Sequence, residues 1–251
     1  MSRPKIILMG DSLTQLAFEG WGATLADVYQ RRADVMNRGH SGYNSKWYLQ
    51  LPMEDFSCVS LVVLFFGAND AALADMDPHH YVSVADYATN LQALIAKVQN
   101  KYHCGDNILM ITPPPVDHAK RLVFQIQRYG DKATGKLERT LENTALYAAA
   151  CREVAALNAL PCLDLYQGMQ QADPDNWSRF LNDGLHFSAQ GHDFVGQQVL
   201  QTINERFGAL AVTADARTGQ WANSASTCPG LPCQGPHHDD IDYKDPTKAF
   251  E

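Results

Sequence analysis

Five short apolar runs, near residues 5 to 9, 33 to 37, 59 to 66, 107 to 112 and 161 to 165, punctuate the chain. Each is nearly continuous in apolar residues and rich in β-branched ones, without the alternation of a half-exposed strand, which predicts parallel strands buried on both faces. Between them the spacing becomes helical. Tyr87, Leu91, Leu94, Ile95, Val98 and Tyr102 share one face of a helix predicted from about Asp86 to Tyr102. Leu137, Leu141, Ala145, Ala148, Cys151 and Ala155 mark a second, from about Leu137 to Leu157. A last helix starts after Ser188, a suitable N-cap, and turns Phe194, Val195, Val199, Ile203 and Phe207 inward. Strand and helix alternating in this way predict a doubly wound parallel α/β sheet.

Two stretches break the pattern. Pro113 to about Thr134 opens on three prolines and is longer than most connections after a strand, which makes it a candidate lid. From about Thr213 the chain turns to Gly, Pro, Ser, Thr, His and Asp, with six acids against three Lys or Arg. We therefore expect one domain over residues 1–210 and an extended or disordered acidic tail over 211–251.

The composition, 251 residues with 45% hydrophobic and 19% charged, suits one sizeable core. A net charge of −8 without any cluster of Lys and Arg argues against a nucleic-acid partner and leaves small neutral molecules. The apolar run behind Met1-Ser2-Arg3-Pro4-Lys5 is too short for a signal peptide, and no stretch approaches the length of a membrane span. With six scattered cysteines read as buried thiols, the expectation is a cytoplasmic protein. The oligomeric state is left open, a homo-oligomer included.

Four polar segments follow the apolar runs: Gly10-Asp11-Ser12-Leu13, Gly39-His40-Ser41-Gly42, Gly67-Ala68-Asn69-Asp70 and Asp183-Gly184-Leu185-His186. Singly, each has a plain explanation as a helix cap, a turn or an exposed loop. Jointly they fall after the first three strands and before the last helix, so the topology gathers them at one sheet edge, where open α/β sheets bind ligands. Their types then fit one chemistry. A serine hydroxyl needs a base within hydrogen-bond reach, which His186 supplies, and the imidazole needs an acceptor on its other nitrogen, which Asp183 supplies. The N–H groups of Ser12 and Gly42 and the amide of Asn69 suit a developing oxyanion.

These segments resemble the SGNH, or GDSL-type, hydrolase superfamily, with Ser12, Gly42, Asn69 and Asp183 with His186 at its four blocks. Gly10-Asp11-Ser12-Leu13-Thr14-Gln15, Gly20-Trp21-Gly22-Ala23, Asn37-Arg38-Gly39, Ser41-Gly42-Tyr43-Asn44 and Phe65-Phe66-Gly67-Ala68-Asn69-Asp70 resemble its isoamyl acetate-hydrolysing esterase branch, over about residues 4 to 207. The resemblance implies a flavodoxin-like three-layer α/β/α sandwich with a five-stranded parallel sheet. It further implies hydrolysis of short-chain, acetate-type esters without metal or cofactor: Ser12, Asp183 and His186 catalytic, and Ser12, Gly42 and Asn69 the oxyanion hole. The tail lies outside it.

His40, His192, Asp11 and Asp70 are read as loop or cap residues. His79-His80, His237-His238 with Asp239-Asp240, and the Cys228 and Cys233 pair lack the spacing of a zinc site. A phosphoacceptor signalling domain is disfavoured because no second acid stands beside Asp11 and Leu165-Tyr166-Gln167-Gly168 offers no lysine after the fifth strand. No G-x-G-x-x-G follows a strand, and the G-x-S-x-G elbow is absent. The alternatives retained are a non-catalytic binding or scaffolding protein on the same fold and an esterase acting on carbohydrate acetyl groups or thioesters.

Overall fold

The protein is described by a computed structural model covering residues 2–221, 226–236, 238, 241–242 and 244–250. The apolar runs form β1 (Lys5–Gly10), β2 (Asp34–Gly39), β3 (Val59–Phe65), β4 (Ile108–Ile111) and β5 (Cys162–Leu163). They pair in parallel in the order β2-β1-β3-β4-β5, the flavodoxin-like arrangement, with the order reversing at β1 and β3.

Strand side chains alternate between two cores. Ile6, Leu8, Leu61, Val63, Leu109 and Ile111 pack under α2 (Trp21–Tyr29), α7 (Leu165–Ala172) and α8 (Ala189–Arg206). Ile7, Met9, Val62, Leu64, Ile108 and Met110 pack under α4 (Val84–Tyr102) and α6 (Leu141–Leu157). Burial on both faces explains why the strands read as continuous apolar runs. Helix starts follow local chemistry: the side chains of Ser83, Thr140 and Ser188 accept hydrogen bonds from the N–H groups of Asp86, Asn143 and Gly191.

The stretch after β4 contains α5 (His118–Tyr129), started by the Asp117 carboxylate on Lys120 N–H (3.0 Å). Its polarity is inverted relative to the other helices. Gln125 is buried while Val123, Ile126 and Tyr129 are exposed. Beyond Leu210, Thr213 bridges Thr227, and Cys228 and Leu231 join the core. Arg32, 2% exposed, donates to Leu231 O (2.8 Å) and Ser226 O (2.7 Å), so main-chain carbonyls take the place of water around a buried cation while fixing this segment.

Gly10, Gly39 and Phe65 lie level at the carboxyl rim, and the short helix α1 (Ser12–Gln15) sits directly on them. A Cβ on Gly39 would stand 2.1 Å from Gln15 N, and one on Gly10 would stand 2.4 Å from Phe65 O. Gly39→Ala should therefore lift α1 and cost about 1–3 kcal/mol, read as a lower urea midpoint at unchanged slope. An unchanged midpoint would show that α1 has room to shift.

Candidate active site

Ser12 is the first residue of α1, and Asp11 before it caps the turn by accepting from Leu13 N–H (2.9 Å). The Ser12 hydroxyl stands 3.0 Å from His186 Nε2. His186 Nδ1–H in turn donates to Asp183 Oδ2 (2.8 Å), a bond that leaves Nε2 free to accept the serine proton. Asp183 Oδ1 also accepts from the N–H groups of Leu185 (3.0 Å) and His186 (2.7 Å), so the loop wraps its own carboxylate. Burial alone would raise the Asp183 pKa. The hydrogen bonds from His186, side chain and main chain, and from Leu185 outweigh it and hold the carboxyl well below the usual range. The group stays an anion wherever the imidazole has work to do.

The donors expected for an oxyanion follow three strand ends, those of β1, β2 and β3. Ser41 N–H is taken by Gln15 Oε1 and Tyr43 N–H by His40 O, while Gly42 N–H between them, at φ +81°, has no partner among the described residues. The same holds for Ser12 N–H, whose neighbour Leu13 N–H is occupied by Asp11. Asn69, 5% exposed, donates one Nδ2–H to Tyr43 O (2.9 Å), which leaves its second for the site. Ser12, His186 and Asp183 are thus in hydrogen-bond contact, while Gly42 and Asn69 follow the adjacent strands β2 and β3 and their loops are tied together through Tyr43 O.

Asp11 and Asp70 lie behind the serine. Burial pushes the Asp11 pKa up to about 7, with the Leu13 hydrogen bond opposing and the neighbouring Asp70 reinforcing. Burial likewise lifts Asp70 to about 6, against hydrogen bonds from Ser45 at the start of α3 (Ser45–Tyr48). Both act as cap and loop anchors, the roles expected for them. His40 packs on Tyr43 and Tyr48, and His192 packs edge-on to Phe187. His79 and His80 lie against Trp47 with their rings tilted to it by 58° and 52°. His237, Asp239 and Asp240 lie outside the described residues.

A cleft of about 330 Å³ adjoins His186, with Leu13, Leu16, Phe124 and Phe187 as its apolar wall and Glu19, Ser41, Arg128 and Asn182 at its polar side. The family model for GDSL-like lipases/acylhydrolases matches residues 8–194. The chain belongs to this family. It is a carboxylic ester hydrolase. Among the relatives of this GDSL-like hydrolase, the GDSL esterase/lipase At5g62930 of Arabidopsis thaliana is 37% identical, covering 99% of this chain and 98% of its own. That match extends through the acidic tail. The isoamyl acetate-hydrolyzing esterase 1 homolog of Bos taurus is 35% identical over 82% of this chain and 84% of its own. The crystal structure of a lipase/acylhydrolase from Enterococcus faecalis superposes with a TM-score of 0.62 at 27% identity, covering 81% of this chain and 96% of that one.

Two residues at the site of this GDSL-like hydrolase escaped the sequence reading. Arg121 donates to Asp183 and Arg139 to Asn69. Nothing in their spacing marks them, since both lie around the stretch read as a candidate lid.

The carboxyl pair sets a pH dependence of stability. Asp11 has a folded pKa above its ordinary 3.8, so its contribution is complete below about pH 4 and is lost as pH rises through about 7. Asp11→Asn keeps the cap acceptor and removes the titration. Its stability relative to wild type should rise by on the order of 2–3 kcal/mol between pH 5 and pH 8, measured by urea unfolding. A difference that stays constant with pH would contradict a raised Asp11.

Proposed function

We propose that the protein hydrolyses short-chain, acetate-type esters through an acyl-enzyme on Ser12. The observation that carries this reading is the row Ser12 Oγ, His186 Nε2, His186 Nδ1, Asp183 Oδ2, with 3.0 and 2.8 Å links, together with the N–H groups of Ser12 and Gly42, which have no partner among the described residues. Ser12 Oγ attacks the ester carbonyl while its proton passes to His186 Nε2. The N–H groups of Ser12 and Gly42 and the Asn69 amide take the oxyanion, each donor typically supplying a few kcal/mol. The imidazolium gives its proton to the departing alcohol, and the neutral imidazole then takes one from a water that attacks the acyl carbonyl and returns it to Ser12 Oγ as the Oγ–acyl bond breaks and the acid leaves. Asp183 holds the imidazole throughout.

The modest cleft volume, about 330 Å³, with Phe124 and Phe187 in its lining, supports a short acyl chain. So does similarity to esterases named for isoamyl acetate. Glu19, Ser41, Arg128 and Asn182 give hydrogen-bonding partners to a hydroxylated alcohol, which favours carbohydrate acetyl esters as the second reading. Residues 1–210 form the hydrolytic unit in this account, with 211–251 appended to it. Six unpaired cysteines support a reducing, cytoplasmic setting. Among the described residues no helix is long and apolar enough to cross a membrane.

Purified protein should hydrolyse p-nitrophenyl acetate faster than the decanoate, in the presence of chelator, and Ser12→Ala should lose at least about 10³-fold in kcat. His186→Ala should lose nearly as much and Asp183→Ala less. Equal rates for Ser12→Ala and wild type would remove the nucleophile assignment, and a preference for decanoate would remove the short-chain one.

A further inference from the structure

Both halves of the site are gripped by one set of charges, with Asp183 and Arg139 buried and Arg121 and Glu138 partly buried. Arg121 on α5 donates Nη1–H to Asp183 Oδ2 (2.7 Å) and Nε–H to Glu138 Oε1 (2.9 Å). Glu138 Oε1 also accepts from Arg139 Nη1 (2.8 Å), and Oε2 from Gln125 Nε2 (3.0 Å). Arg139, 3% exposed, places Nε–H on Ala68 O (2.9 Å) and Nη2–H on Asn69 Oδ1 (3.1 Å). An unbroken row therefore runs from His186 through Asp183, Arg121, Glu138 and Arg139 to Asn69.

We propose that Arg121 and Arg139, joined through Glu138, are positioning residues for ester hydrolysis, Arg121 fixing the carboxylate that orients His186 and Arg139 fixing the amide that faces the oxyanion. The proposal rests on the acyl-enzyme reading of the same site. It follows from what each partner would do if released. Asp183 Oδ1 is filled by main-chain N–H groups, so the one freedom left to the carboxylate is at Oδ2, and Arg121 occupies it beside His186. Asn69 presents either an N–H or a carbonyl oxygen to the site depending on its flip, and an oxygen there would repel an oxyanion. An arginine has donors only, so Arg139 on Oδ1, together with the acceptor Tyr43 O on the amide nitrogen, selects the productive orientation.

The charges alternate along the row, Asp183, Arg121, Glu138, Arg139, and each is hydrogen-bonded, the condition under which buried ions are tolerated. Burial would raise the Glu138 carboxyl, yet Arg139 and Arg121 hold it below its usual range. Main-chain packing reinforces the grip. Asp117 N–H donates to Gly184 O (3.0 Å), and a Cβ on Gly184, at φ +85°, would stand 2.4 Å from Asp117 O and 2.6 Å from Arg121 N. The start of α5 is thus in direct contact with the loop that bears Asp183.

The test is a pair of double-mutant cycles with p-nitrophenyl acetate on the full chain, folding being checked by thermal melts. Arg121→Met and Arg139→Met should each lower kcat about 10- to 100-fold with KM changed less than about threefold. A positioning effect disappears when the positioned group is gone. Arg139→Met added to Asn69→Ala, and Arg121→Met added to Asp183→Ala, should each cost less than about twofold more. If the full loss persists in those backgrounds, or falls on KM, the proposal is overturned. Should a Met variant fail to fold, Arg121→Lys and Arg139→Lys keep the charge without the two-partner fork, and the same cycles decide. Wild type and Ser12→Ala run alongside: equal rates there would overturn the acyl-enzyme reading itself, whereas persisting losses with Ser12 dependence intact overturn the positioning role alone.

Discussion

How closely α1 lies on the sheet sets everything at the site. Gly10 and Gly39 have no side chains to hold it off, so the chain leaves β1, turns within one residue and presents Ser12 at the rim with its N–H unspent. The cap by Asp11 fixes that turn at the cost of a buried carboxyl whose pKa is raised. Local strain in protonation thus accompanies a precise hydroxyl position, a familiar trade at functional sites.

Topology supplies the remaining geometry. The reversal of strand order at β1 and β3 opens the crevice, and the ends of β2 and β3 bring Gly42 and Asn69 to it. Asp183 and His186 arrive from the loop before α8 as one preformed unit, since the carboxylate is hydrogen-bonded by the loop's own N–H groups. The inverted helix α5 then closes the arrangement, turning Gln125 and Arg121 inward against charges where the other helices turn apolar residues.

That inversion also explains what the sequence did and did not disclose. The strands were legible because burial on both faces leaves an uninterrupted apolar run, as in Ile6-Ile7-Leu8-Met9, and α8 was legible from Ser188 and its stripe. Ser12, Gly42, Asn69, Asp183 and His186 stood out because the proposed ester hydrolysis needs those residue types, the first three after β1, β2 and β3 and the last two in the loop before α8. Helix α5 misleads for a different reason: Leu122, Val123, Ile126 and Tyr129 do recur at helical spacing, but Val123, Ile126 and Tyr129 on that stripe are exposed and Gln125 is the buried residue. Arg121 and Arg139 were hidden because an arginine aimed at a buried carboxylate and one in solvent are the same letter. Only the fold, which brings residues 121 and 139 to residues 183 and 69, separates the two.

The central claim is that Ser12 is a nucleophile activated by His186. The direct measurement is covalent labelling with a fluorophosphonate, followed by mass spectrometry of the intact protein and its peptides. One adduct per chain, on the peptide containing Ser12, absent in Ser12→Ala and formed far more slowly in His186→Ala, is the result this account predicts. A label on another residue, or no label on a protein that hydrolyses p-nitrophenyl acetate, would contradict it.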